Sequence, residues 1–514
     1  MTAEEKFRQC LESLRSGQLA QAYALGRELA RDVPGDARTW QVLGILAMAQ
    51  DRMADAEEFF ARSSRIAPGV PAVLYQQAVV QHRLKRHRHA IATLDDLLNV
   101  APAHIEAWFA RARILLETGR YETALESFDR VLALDFGHAD AHAWRGDALR
   151  LLGRAAESDA AYRRAIERNP DQTRAINGLG HLAAAAGRWQ DALDHHDQVI
   201  KRSGDNAEAH NGRGIALSGL GEYGAALASF ARALVLAPGY ADAMMNTGNT
   251  LRKMDRFEEA LNSYDAAIER DPELVDAHYS RAGVLMDLER FDEALDSCQR
   301  ALILSPAFPL ALMRQGEILN RIGRYEQALE AFNRGLALPS GPPPYFAELH
   351  LMSSYALWEL QRIEDALAAC DRAVAILPDF AEAWSRRGVI LRDLGEPLDA
   401  IASYDTALRI NPGHAQARNN RCVALGVLGR LDEAVDETRR VIELDPDNSA
   451  AYNNLGNWLR RLGRLDEAKQ ALETALRLAP DPEEVRLNLA MCLLHAGDFQ
   501  NGWRTYEARW HTRA

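Results

Sequence analysis

Residues 449–480 read SAAYNNLGNWLRRLGRLDEAKQALETALRLAP, and the fold of the whole chain follows from this stretch. Tyr452, Gly456 and Leu459 recur at spacings of four and three, the signature of one helix face. Ala468, Leu472 and Ala475 repeat the pattern further on. Gly463 stands between the two runs, and glycine readily takes the left-handed conformation that ends a helix. Pro480 then stops the second run and sets the next turn. The stretch therefore predicts two helices in a tight hairpin. Gly456 and Ala468 face each other across it, where larger side chains would push the axes apart.

The hairpin recurs every 34 residues. Pro34, Pro68, Pro102, Pro170, Pro238, Pro272 and Pro306 keep the period. Pro344, Pro378, Pro412, Pro446 and Pro480 resume it after a four-residue insertion, and only Phe136 and Gly204 break the series. With units counted from Ala3, Ala37 and Pro71 through to Glu483, the eighth position is small in all fifteen. The twentieth is Ala in all but two, Ser158 and Gly502. One such unit is too small to bury its own apolar face, so stacking must supply the core. The expectation is an all-α solenoid of about fifteen helix-turn-helix repeats. Repeats 1–10 occupy residues 3–338 and repeats 11–15 occupy 347–514, with a proline-rich insertion at 339–346. Pro342, Pro343 and Pro344 remove amide donors, which predicts a longer, looser turn there.

Charge narrows the partners. The chain carries 60 Lys and Arg against 73 Asp and Glu, a formal charge of -13. Sequence-independent nucleic-acid binding needs clustered positive charge, so neither nucleic acid nor an anionic membrane is expected. Residues 1–18 mix charged and apolar side chains without the apolar core of a signal peptide, and a cytoplasmic location is expected. The five cysteines, Cys10, Cys298, Cys370, Cys422 and Cys492, form no CxxC pair and are read as packing residues.

The recurring pattern of aromatic, Leu, Gly, Leu, Gly, aromatic, Ala, aromatic, Ala, Pro resembles the tetratricopeptide repeat (TPR) family. Repeats 1, 2 and 11 fit it least well, Ser354 and Gln361 replacing both glycines of repeat 11. The resemblance implies a right-handed superhelix whose first helices line a concave groove, and a polypeptide or protein partner in that groove. It also implies that the second, fifth, sixth, ninth, twelfth and thirteenth positions of each unit face the ligand.

Asn246, Asn420, Asn454 and Asn488 fall on the sixth position, Asn419 and Asn453 on the fifth, and Asn249 and Asn457 on the ninth. A side-chain amide both donates and accepts, so a row of amides can grip an extended backbone without reading its sequence. The row resembles the asparagine ladder in the superhelix of O-linked N-acetylglucosamine transferases. The competing reading has these amides bonding between neighbouring helices. Arg314, Arg321, Arg386, Arg392, Arg460 and Arg461 take groove positions in repeats 10 to 14, a candidate surface for acidic peptide segments. Tyr75, Phe109 and Tyr279, with Met245 and Met313, sit at the fifth position and give a more apolar lining. Packing between repeats is the alternative for both sets. The two-carboxylate clamp of chaperone co-factors is not expected, because Met245 and Asn453 stand where it needs a basic residue.

No catalytic residue, cofactor site or metal site is expected. His82, His87 and His89 belong to a basic run across a turn, where charges are solvated. His195 and His196 are adjacent and so do not share a helix face. The final segment, with Gly497, Phe499, Gly502, Trp503, Tyr506 and Trp510, resembles the last repeat of bacterial TPR proteins that continue into a glycosyltransferase-like domain. Phe499, Trp503, Tyr506 and Trp510 would share one helix face and offer a surface for self-association. Three readings of function result: a stand-alone protein-binding scaffold, the recognition arm of a protein glycosyltransferase, or a self-assembling oligomer.

Overall fold

The computed structural model of the protein describes residues 2–339, 341–479 and 483–507. Among them thirty helices follow one another without a strand, in hairpins of about the same build. Contacts group the chain into two units, residues 1–256 and 257–514.

Each hairpin turn depends on the fifteenth residue. All fifteen of these residues take a positive φ, from 56° at Asp255 to 83° at Gly395. Ten are glycine, which pays no steric penalty there. Asp51, Lys85, Asp255, Glu289 and Gln361 take the same conformation with a side chain attached.

Packing within a hairpin centres on the eighth residue. Ser158 Oγ donates to the Gly146 carbonyl at 2.7 Å, so the eighth and twentieth positions do meet. The tighter constraint comes from the twenty-fourth residue. A Cβ on Gly146 would lie 2.5 Å from the Tyr162 ring, and one on Gly388 2.5 Å from the Tyr404 ring. Glycine at the eighth position is what lets a large ring lie flat against the first helix.

The core of each unit is a chain of local clusters. In residues 1–256, Leu74, Leu94, Leu97, Leu115, Phe128 and Ala148 form one cluster across three adjacent hairpins. In residues 257–514, Leu391, Ile401, Tyr404 and Leu425 form another. All five cysteines are buried and free. Burial pushes the thiols of Cys370 and Cys422 up to about 11, so both stay protonated and serve as small apolar side chains.

Within each unit, first helices of successive hairpins touch, as Ala139–Leu151 touches Thr173–Ala185 and Ser449–Arg461 touches Glu483–His495. The backbones of second helices of successive hairpins do not approach within 8 Å, Cα to Cα, among the described residues, although side chains such as Arg439 and Glu467 reach across. Each stack therefore curves with its first helices on the inner face.

The insertion differs from its expected form. Pro343, Pro344, Tyr345 and Phe346 are not loop; they open the 17-residue helix Pro343–Glu359, with Pro342 at its N-cap. The first helical turn tolerates proline because its amides have no partner within the helix anyway. Tyr345 is buried, and its hydroxyl donates to the Pro309 carbonyl at 3.2 Å. The added turn thus pins the start of this helix to the preceding hairpin.

Candidate functional site

The curvature puts the sixth and ninth positions of the first helices on the inner face of each stack. There the asparagines bond one another. Asn488 Nδ2 donates to Asn453 Oδ1 at 2.9 Å, and Asn454 Nδ2 to Asn419 Oδ1 at 3.4 Å. In the other unit Asn246 Nδ2 donates to Asn211 Oδ1 at 3.1 Å. Each bond spans 35 residues, from the sixth position of one repeat back to the fifth of the repeat before. A primary amide has two N–H groups and an oxygen with two lone pairs, so one bond of this kind leaves capacity unspent. Asn453 also donates to Glu484 Oε1 at 3.4 Å. The buried Asn457 Oδ1 has no hydrogen-bond partner among the described residues. Asn420 and Asn249 are half-buried on the same faces.

The fifth-position aromatics are packed between repeats. Tyr75 stacks on His104 at 5.5 Å, Phe109 on His138 at 5.1 Å, and the Tyr279 and Phe308 rings lie 5.2 Å apart. In each case the partner is the residue just before the next first helix, so these rings set the spacing of adjacent hairpins.

The six arginines divide by partner. Arg392 bonds Asp393, and Arg461 Nη1 donates to the Gly426 carbonyl at 2.7 Å. Arg321 is exposed. Arg314 Nη2 donates to the Tyr279 hydroxyl at 2.9 Å, but its Nε is buried without a partner. Arg460 Nη1 lies 3.5 Å from His495 Nδ1, and its Nε is likewise unpartnered. Arg386 stands apart. Its guanidinium lies 4.0 Å from the Tyr355 ring centre and 5.1 Å from that of Trp358. Its Nε and Nη2 are both buried with no hydrogen-bond partner among the described residues. Burial lowers its pKa, meaning that its surroundings disfavour the charge.

Tetratricopeptide repeat models match residues 11–71, 75–137, 119–173, 177–241, 245–309, 351–415, 385–449 and 449–482. The chain belongs to the tetratricopeptide repeat family. Such repeats generally mediate protein–protein interaction. No curated protein matches the chain. Among solved structures it is similar to the APC/C hetero-tetramer Cut9-Hcn1, at 15% identity and a TM-score of 0.45, covering 83% of this chain and 96% of that one. It is also similar to a tetratricopeptide repeat protein from Parabacteroides merdae, at 19% identity and a TM-score of 0.42, covering 48% and 98%.

Some features of this TPR array were not anticipated from the sequence. Trp144 lies on the inner face between two arginines, with Arg174 3.6 Å and Arg113 5.1 Å from its ring centre. A brace also recurs at the seventh position. Arg281 Nε donates to Asp265 of the preceding repeat at 2.6 Å, and its Nη1 to Ser297 of its own at 2.6 Å. Arg111, Arg213 and Arg387 make the same pair of bonds.

At the C-terminal end, Phe499 and Trp503 are 62% and 57% exposed. Trp503 meets Tyr506 edge-on at 5.6 Å. Trp510 lies outside the described residues. No helix among the described residues is long and apolar enough to cross a membrane.

Proposed function

We propose that this TPR chain is a non-catalytic scaffold holding a polypeptide on its inner face, with an acidic side chain of that polypeptide at Arg386. The observation that carries the reading is the Arg386 guanidinium, which lies on the Tyr355 and Trp358 rings with no carboxylate bonded to it among the described residues. A partly buried charge without a partner is unfavourable, and a carboxylate placed against its open edge recovers that cost. Hydrogen bonds to charged groups contribute about 1.5–3 kcal/mol each, and the Tyr355 and Trp358 rings hold the guanidinium in place to make them.

The asparagine row cannot do this alone. Four amide contacts at about 0.5–1.5 kcal/mol give about 2–6 kcal/mol, against an association cost on the order of 4–15. Amides suit the ligand backbone, while Arg386, Arg314 and Arg460 supply the stronger contacts. Fluorescence anisotropy with labelled extended peptides tests this, comparing a peptide bearing Glu side chains with its Gln counterpart. The Glu peptide should bind more tightly, and Arg386→Met should remove the difference. Equal affinity of both peptides for the unaltered chain would refute an acidic ligand.

A second reading, self-association, has its own support in the exposed rings of Phe499 and Trp503. Light scattering at rising concentration, with and without Trp503→Lys, checks it. A chain that stays monomeric throughout would eliminate it.

A further inference from the structure

The turn of repeat 3 brings together two imidazoles that the sequence left among solvated charges. His82 lies in the last turn of the helix Pro71–Arg83, and His87 opens the helix His87–Val100. Lys85 between them takes a φ of 59°, and the tight turn folds one ring against the other. Their Nδ1 atoms are 3.3 Å apart and their ring centres 5.3 Å. Glu117, from the first helix of repeat 4, places Oε2 3.4 Å from His82 Nε2. One ligand atom from each of the three residues lies within 4.8 Å of the others.

We propose that His82, His87 and Glu117 form a binding site for a divalent transition-metal ion of the zinc type, which ties repeat 3 to repeat 4 beside the inner face. Imidazole nitrogen and carboxylate oxygen are ligands zinc takes, at about 2.0–2.2 Å in tetrahedral array. Two ligand atoms on such an ion stand about 3.3–3.5 Å apart. The 3.3 Å contact starts from His82 Nδ1 and the 3.4 Å contact from His82 Nε2, so either one has that length. A single ion takes one of these nitrogens, and the third ligand atom, within 4.8 Å of the others, closes on it when the ion binds. Calcium and magnesium prefer all-oxygen sites and are excluded by the two nitrogens.

Arg113 and Lys85 stand close enough to His82 to repel a dication, so the affinity should fall below that of a closed structural site. Arg86 is already paired with Glu57. Three protein ligands leave a fourth position open. His82 also lines a cavity of about 430 Å³, together with Tyr75, Val79, Arg83 and Arg113.

The test uses the full-length chain without an affinity tag. Zinc chloride is titrated calorimetrically at about pH 7.5, above the ordinary histidine range, and thermal melts are run with zinc and with a chelator. One ion per chain should bind, and the melting temperature should rise with zinc concentration by mass action. His82→Asn and His87→Asn should each weaken binding by at least about tenfold, with Glu117→Gln weakening it less. Circular dichroism confirms that these surface variants are folded. Either of two results would overturn the proposal: no saturable uptake by the folded chain at about 100 µM zinc, or uptake that persists in the His82→Asn/His87→Asn double variant.

Discussion

His196 Nδ1 faces Asn177 Oδ1 at 3.2 Å inside the sixth repeat, while the buried Nε2 of the same ring has no hydrogen-bond partner among the described residues. The ring fills the space that Tyr162 and Phe230 fill in the flanking repeats. A Cβ on Gly180 would come within 2.6 Å of it, and one on Gly212 within 2.3 Å. Burial, above all, drives the His196 pKa down to about 3; His181 and His195 push the same way and Glu208 opposes. An unfolded histidine has a pKa near 6.5. Below that value the unfolded chain takes a proton that the folded chain refuses, so stability is complete above about pH 6.5 and falls as pH drops toward about 3. The slope is about 1.4 kcal/mol per pH unit, or about 2 kcal/mol at pH 5. Hydrogen exchange in the helix Trp189–Arg202 should therefore accelerate between pH 7 and pH 5 beyond the chemical trend. His196→Phe should remove the excess, since a phenyl ring fits between the same glycines. Equal acceleration in both proteins would contradict the assignment.

The positive-φ turns give a second prediction. Glu289 and Gln361 hold φ values of 58° and 61°, a conformation that costs a residue with a side chain about 1–2 kcal/mol. Glycine relieves that strain but makes the unfolded chain more flexible, giving back up to about 1 kcal/mol. Glu289→Gly and Gln361→Gly should each raise local stability by about 0.5–1 kcal/mol. Gly395→Ala, at a φ of 83°, should lower it. Denaturant midpoints of the three variants decide the matter, and two destabilising glycines would show the turns to be unstrained.

These turns also show what the sequence made legible. The hairpin, its period and its small eighth position could be read because glycine and proline act locally, through their own backbone. Gln361 in repeat 11 looked like a departure from the pattern, yet it adopts the same φ as the glycines. The Arg281–Asp265–Ser297 brace was missed although its signal was present: Arg111, Arg213, Arg281 and Arg387 share one position in phase. Helix-borne charge is usually solvated, so arginines in phase do not by themselves announce a brace. Glu117 could not have been joined to His82 without knowing how adjacent hairpins are set against each other. Arg386 was placed on the inner face by position alone, but its lack of a partner is a property of the packed structure.

A third prediction concerns how strain spreads. Ala294 is fully buried at the twentieth position of repeat 9. Leucine there should overpack one hairpin at a cost of about 1–3 kcal/mol. In a linear array each repeat contacts only its neighbours, so the loosening should stay local. Hydrogen exchange should rise in Val275–Asp287, Phe291–Leu304 and Pro309–Arg321, and stay unchanged in the hairpins of residues 3–66. A uniform rise along the chain would mean that the repeats do not act as nearest-neighbour units.

The last prediction separates binding from stability at Arg386. In the free chain this guanidinium is partly desolvated, bonds no carboxylate among the described residues, and has its pKa lowered mainly by burial. Its contact with the Tyr355 ring, at 4.0 Å, recovers about 0.5–2 kcal/mol. Replacing it with methionine removes the charge but keeps an unbranched chain that can lie on the same rings, since thioethers pack well against aromatics. Exchanging buried charges for well-packed apolar groups is often stabilising by about 1–4 kcal/mol. Arg386 keeps some contact with solvent, so the gain should fall at the low end, about 1 kcal/mol. Arg386→Met should therefore melt at a higher temperature than the unaltered chain while losing its preference for the Glu peptide. Arg387→Met serves as the control, because Arg387 is paired with Asp371 at 2.7 Å and bonds Ser403. Its loss should lower stability and leave peptide preference intact. If Arg386→Met destabilised the chain as much as Arg387→Met does, Arg386 would be a structural residue, and an acidic ligand would lose its main support.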